Sequence, residues 1–127
     1  MKAQLAVEFI LIFAIFLAAL TIIALSLLNK AVDISRSTIE REANTLLSKV
    51  ANTINTVFLE GDGFAINLTL PEKIKGFDYN ISIENQSIWL TMNQRSYHKR
   101  LLTNNVTGEL KKGENLLKNV NGGIVIK

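Results

Sequence analysis

The chain has no cysteine, which removes disulfides, thiolate metal sites and cysteine nucleophiles together. Its one histidine, His98, lies among basic residues with no neighbouring carboxylate to orient it, so neither a catalytic triad nor a metal cluster can be assembled around it. There is no glycine-rich phosphate loop. Asp78 and Glu84 flank one candidate strand without any pattern suited to acid/base work. No enzyme, cofactor or metal is expected. Charge of either sign is absent from Phe9 to Leu28, and neither glycine nor proline occurs between Gln4 and Glu60, so nothing in that stretch breaks a helix. The basic excess is small: the formal charge is +3, and from Leu59 onward nine Lys and Arg face seven Asp and Glu. Basic residues cluster at Arg95, His98, Lys99 and Arg100, but only Tyr97 interleaves them; a solvated loop is expected there, and no nucleic-acid partner.

The uncharged run is the dominant feature. Its 20 residues, as a helix rising about 1.5 Å per residue, span about 30 Å of hydrocarbon. Ala24-Leu25-Ser26 offers a small-x-small site at which a conventional signal peptidase would remove the run. Against that stands Glu8, an acid at the edge of the run, where the n-region of such a signal is basic.

The start, Met1-Lys2-Ala3-Gln4-Leu5-Ala6-Val7-Glu8-Phe9 leading directly into the apolar run, resembles the class III (prepilin-type) signal peptide of archaeal type IV pilins and the related archaellins. In that family a membrane peptidase cuts before the hydrophobic segment and leaves it on the mature protein. The resemblance covers about the first 30 residues. It implies a cut between Ala3 and Gln4, with Gln4 first in the mature chain and Glu8 as the acid four residues on; the family more commonly has glycine where Ala3 stands, and a longer leader. Residues 1–3 are then a leader and 4–30 a transmembrane and filament-core helix. The implied assembly residues are Gln4, Glu8 and Phe9, the last opening the apolar run. Implied partners are the prepilin-type signal peptidase, other pilin subunits in a homo- or hetero-filament, and membrane lipid before assembly.

Physical chemistry gives Glu8 a reason of its own. A carboxylate at mid-bilayer costs about 2.5–3.5 kcal/mol, less near the interface, so such residues carry a partner or a function. Cleavage at Ala3-Gln4 creates an α-amine on Gln4, and the spacing of four puts it on the helix face of Glu8. That amine can neutralise Glu8 within the chain or in a neighbouring subunit, and a paired acid in an apolar bundle specifies register. The simpler alternative places Glu8 among lipid headgroups. Flanking charges favour a head inside the cell, since Lys2 faces Lys30, Arg36 and Arg41. The pilin resemblance implies a head outside, and that is the orientation expected: a single-pass membrane protein, then an extracellular filament.

Beyond Asn29 the helical signal continues, with Ile39, Ala43, Leu46, Leu47, Val50, Ile54, Val57 and Phe58 at steps of three and four. One helix of about 55 residues is predicted, residues 31–60 being amphipathic and closed by Gly61-Asp62-Gly63. The period then changes to two. Strands are predicted at 64–70, 77–83 and 87–92, with shorter ones at 97–103, 106–111, 116–120 and 124–126; Asn121-Gly122 marks a type I′ hairpin. An antiparallel sheet of four to six strands would make up a head at 61–127. So small a head buries too little apolar surface alone, and the stripe from Ile39 to Phe58 supplies its second layer. The fold class expected is α+β: a long N-terminal helix packed on a small antiparallel sheet.

Four N-glycosylation sequons, beginning at Asn67, Asn80, Asn85 and Asn105, all fall in the head. The function expected is a structural pilin or minor pilin with a role in adhesion or surface contact. The alternative is a membrane-anchored binding module that never polymerises. An archaellin is a third reading, disfavoured by the short head.

Overall fold

A single helix, α1, runs from Lys2 to Glu60 in the computed structural model, which describes residues 1–127. It starts two residues before the expected Gln4 and stops where expected, because Gly61 and Gly63 take left-handed φ values of 91° and 89°. The chain divides into two units, Met1–Thr38 and Ile39–Lys127. The first is helix from Lys2 onward, with every residue exposed. The second contains the remainder of α1 and all the strands.

Seven strands follow: β1 (Ala65–Leu70), β2 (Asn80–Glu84), β3 (Ser87–Met92), β4 (Arg95–Arg100), β5 (Val106–Thr107), β6 (Gly113–Val120) and β7 (Gly123–Ile126). They form two sheets where one was expected. The first has order β1-β6-β7-β5 and the second β2-β3-β4. All pairs are antiparallel except β5 with β7, which pair in parallel through Val106↔Ile124 and Thr107↔Val125. The architecture is α+β, a long helix on a small, largely antiparallel head.

Hairpin chemistry explains much of the second sheet. Asn85-Gln86 and Asn93-Gln94 have positive φ at both central positions, 49° and 61°, then 50° and 63°, which is the type I′ pattern whose twist suits a two-residue hairpin. Asn121-Gly122, at 52° and 80°, joins β6 to β7 in the same way, as expected. Several strand limits move. Phe77 pairs back to Ile74 in a turn, so β2 starts only at Asn80. Gly108, at φ 103°, ends β5 after two residues.

The predicted stripe is the floor of the head. Ala43, Leu47, Val50, Ala51, Ile54 and Val57 are buried, flanked by half-buried Ile39, Leu46 and Phe58. They join Leu68, Leu70, Leu117 and Ile124 of the first sheet and Ile88, Leu90 and Met92 of the second in one apolar cluster.

On β6 the alternation is inverted from what hydrophobicity suggests. Asn115, Leu117 and Asn119 point inward, while Leu116 and Val120 are exposed. Both asparagines are fully employed. Asn119 Nδ2 donates to the carbonyls of Val57 (3.0 Å) and Phe58 (3.3 Å), and its Oδ1 accepts from Gly122 N (3.0 Å). A helix leaves its last four carbonyls without intrahelical donors, and Asn119 supplies one from inside the core. Asn115 Nδ2 donates to Lys111 O, and its Oδ1 accepts from Lys111 N, which fixes the loop before β6.

Candidate functional site

Ala3, Gln4, Glu8 and Phe9 all lie in the first turns of α1 and are exposed. Gln4 Nε2 donates to Glu8 Oε1 at 3.4 Å, a long contact across one helical turn that shows the two residues share a face. One turn on, the Phe9 and Phe13 rings stack at 6.2 Å and 11°. From Phe9 to Leu28 the large apolar side chains stand free, Phe9 at 69% and Ile22 at 65% exposure among them. The two hydroxyls in this run are satisfied within the helix, Thr21 Oγ1 donating to Leu17 O (2.8 Å) and Ser26 Oγ to Ile22 O (2.9 Å). Backbone and hydroxyls therefore ask nothing of a surrounding solvent, which is the condition for residence in hydrocarbon. The helix is long and apolar enough to cross a membrane.

The chain matches no family model, no curated protein and no solved structure.

In the head, the basic cluster lies on β4, which corresponds to the strand predicted at 97–103 but starts at Arg95, and not in the solvated loop also expected; the strand divides it between two faces. Arg95 pairs with Glu40, and Lys99 Nζ bonds Ser48 Oγ at 2.7 Å, so these two cover the flank of α1. His98 and Arg100 face outward. Long basic side chains can lay their apolar stems over a core edge while the charge stays wet, which is how a strand this polar belongs to the fold. Charge on an edge strand also discourages pairing with another chain. His98 stacks on Trp89 across the pair, with centroids 4.7 Å apart.

The Lys112 ammonium, 3.1 Å from Asp78 Oδ1, holds that carboxyl below the usual carboxylate range, first by hydrogen bonding and then by its charge, with a further contribution from Lys73. Burial, then the charge of Glu72, raises the Tyr79 phenol, whose hydroxyl donates to Pro71 O. Lys112 Nζ also lies 5.3 Å from the Tyr79 ring centre, so these residues clip the loop before β2 to the loop before β6.

The four sequon asparagines are exposed but differ in setting. Asn67 lies on the outer face of β1 and Asn80 opens β2. Asn85 occupies a hairpin turn. Asn105 is wedged against β7: a Cβ on Gly123 would come within 2.7 Å of its Nδ2. Sequence reasoning missed Asn115, Asn119, the Trp89–His98 stack and the Arg95–Glu40 pair. Each depends on strand register, which local periodicity does not reveal.

Proposed function

We propose that the chain is a structural subunit of a type IV pilus-like surface filament of the archaeal kind, serving adhesion or surface contact. A prepilin-type peptidase cuts between Ala3 and Gln4, residues 4–30 hold the subunit in the membrane with the head outside, and the same helix then packs against other subunits in the filament. The observation that carries this reading is the apolar stretch from Phe9 to Leu28. It is exposed on every side, while the head closes its own core without it. So large an apolar surface requires an apolar surrounding, first lipid and then neighbouring helices. Glu8 supports the same reading, since its carboxylate has only the long Gln4 contact and is free to take a new α-amine.

Assembly is tested by comparing native protein with Glu8→Ala and Glu8→Gln in sheared filaments and in membranes. Membrane insertion of the Ala variant is expected to be intact, because removing an acid costs nothing in lipid. Incorporation into filaments should fall for both, since the contact that selects one axial register among many similar ones is lost. The native N-terminus is checked in the same samples, because cyclisation of Gln4 would remove the partner charge. Native protein found in membranes but never in filaments would instead favour an anchored module that does not polymerise.

A further inference from the structure

The outer face of the β2-β3-β4 sheet carries the only tryptophan of the chain. In register, Ser82, Trp89 and His98 form one row across the three strands. His98 stacks on one face of the indole; directly opposite Trp89 on β2 is the small side chain of Ser82, with Asn80 and Glu84 diagonal to it, so little bulk stands against the other face of the ring. Trp89 keeps 36% of its surface exposed. A planar ring of this size, open on one side, suits a flat, partly apolar partner bearing polar groups at its edge.

The same face carries a sequon. Asn80 pairs with Thr91, so Trp89, two residues away on β3, is its diagonal neighbour. Diagonal positions on one sheet face are about 7–8 Å apart, within reach of long or aromatic side chains. Ser82, the third residue of that sequon, lies on this face too, directly beside Trp89. On the far side of β2 a recess of about 270 Å³ adjoins Asn80 and Ser82 and is bounded by Gly108 and Glu109, so Asn80 has open space around it. Of the four sequon asparagines, Asn80 alone shares its sheet face with an aromatic ring.

The geometry points to Asn80 as a glycan-bearing residue whose first sugar lies against the open side of Trp89. This rests on the head being exported, as in the reading above. In the transfer, Asn80 Nδ2 attacks the anomeric carbon of a lipid-phosphate-activated saccharide. A C–N bond forms as the C–O bond to phosphate breaks; the lipid phosphate leaves with the bonding electrons and the amide loses a proton. The C–H face of the sugar then covers the indole, while its hydroxyls and the polar rim of the sheet meet at the edges. The glycan becomes part of the surface of the head rather than a free chain in solvent.

The test uses the native full-length chain purified from its own cells. Glycopeptide mass spectrometry should find Asn80 occupied. As the lone tryptophan, Trp89 reports on the seat directly: the native protein should emit at shorter wavelength and resist acrylamide quenching relative to Asn80→Gln and Ser82→Ala, which both abolish the sequon. Trp89→Leu should retain the glycan but lose the rise in thermal midpoint that the glycan confers, which separates stacking from mere attachment. Glycans at Asn67 or Asn85 with Asn80 bare would overturn the inference while leaving export intact, as would an occupied Asn80 with unchanged quenching. Bare asparagines at all four sequons would also overturn it. An occupied, shielded Asn80 on protein absent from filaments would support the inference and count against assembly instead.

Discussion

The two ends of α1 are equally helical and differ in everything else. From Phe9 to Leu28 apolar side chains point in all directions and none is buried. From Ile39 to Phe58 they form one stripe, with polar residues such as Asn44, Lys49 and Asn52 opposite it. A helix apolar all round needs an apolar medium, whereas an amphipathic one needs a single partner face. Only the second need is met within the chain. The absence of glycine and proline keeps the two ends in one helix, and their side-chain patterns assign them different surroundings.

Truncation breaks this comparison most severely. A chain starting near Asp33 retains the stripe and is expected to melt cooperatively. One starting at Gly61 loses Leu47, Val50 and Ile54 from beneath both sheets and is expected not to fold. A cooperative melt of the shorter chain would show that the sheets support each other without the helix.

Single substitutions sharpen the same contrast. Leu47→Ala in the soluble head should cost about 2–5 kcal/mol in urea unfolding, the usual loss on emptying a fully buried leucine site. Leu17→Ala in the full chain should leave the unfolding of the head unchanged, because Leu17 is exposed at 48% and belongs to the first unit rather than to the head core. A shift of comparable size for both would mean that the two units are energetically one.

Asn119→Ala probes the end of the shared helix. It strips a donor from the Val57 and Phe58 carbonyls and leaves buried acceptors unpaired, at a cost of about 1–3 kcal/mol. Hydrogen exchange should accelerate in the last turn of α1 and be unaltered before Thr38. The smallest effect expected is in the acid limb of stability. Because Lys112 lowers the Asp78 carboxyl in the folded state, the pair contributes above the ordinary carboxylate pKa and is lost as pH falls through the lowered one. Asp78→Asn should therefore lower head stability slightly at neutral pH, leave it unchanged below the lowered pKa, and so flatten the low-pH slope.

Legibility in the sequence followed the range of the interactions. The helix, its stripe, the Gly61 stop and the Asn121-Gly122 hairpin are written in local spacing, and all lie where spacing put them. The division into two sheets is not, because it depends on which edges meet. The parallel β5–β7 pair is two residues long and leaves no periodic trace. On β6 hydrophobicity does not reveal the inner face: Leu116 and Val120 are exposed, while Asn119 is drawn inward by the open carbonyls of the helix end and Asn115 by the loop at Lys111. At the N-terminus, Glu8 stands out by its charge and Gln4 only through the prepilin resemblance, and the helix places the two on one face.

The central claim is that the apolar half of α1 belongs to the mature protein, whose chain begins at Gln4. Intact-mass and N-terminal peptide analysis of native protein from sheared surface filaments tests it most directly. A chain beginning at Gln4, free or cyclised, is the expected result. A chain beginning at Leu27 would mean that the run is a discarded signal, and a chain beginning at Met1 that it is an unprocessed anchor; either would contradict the account.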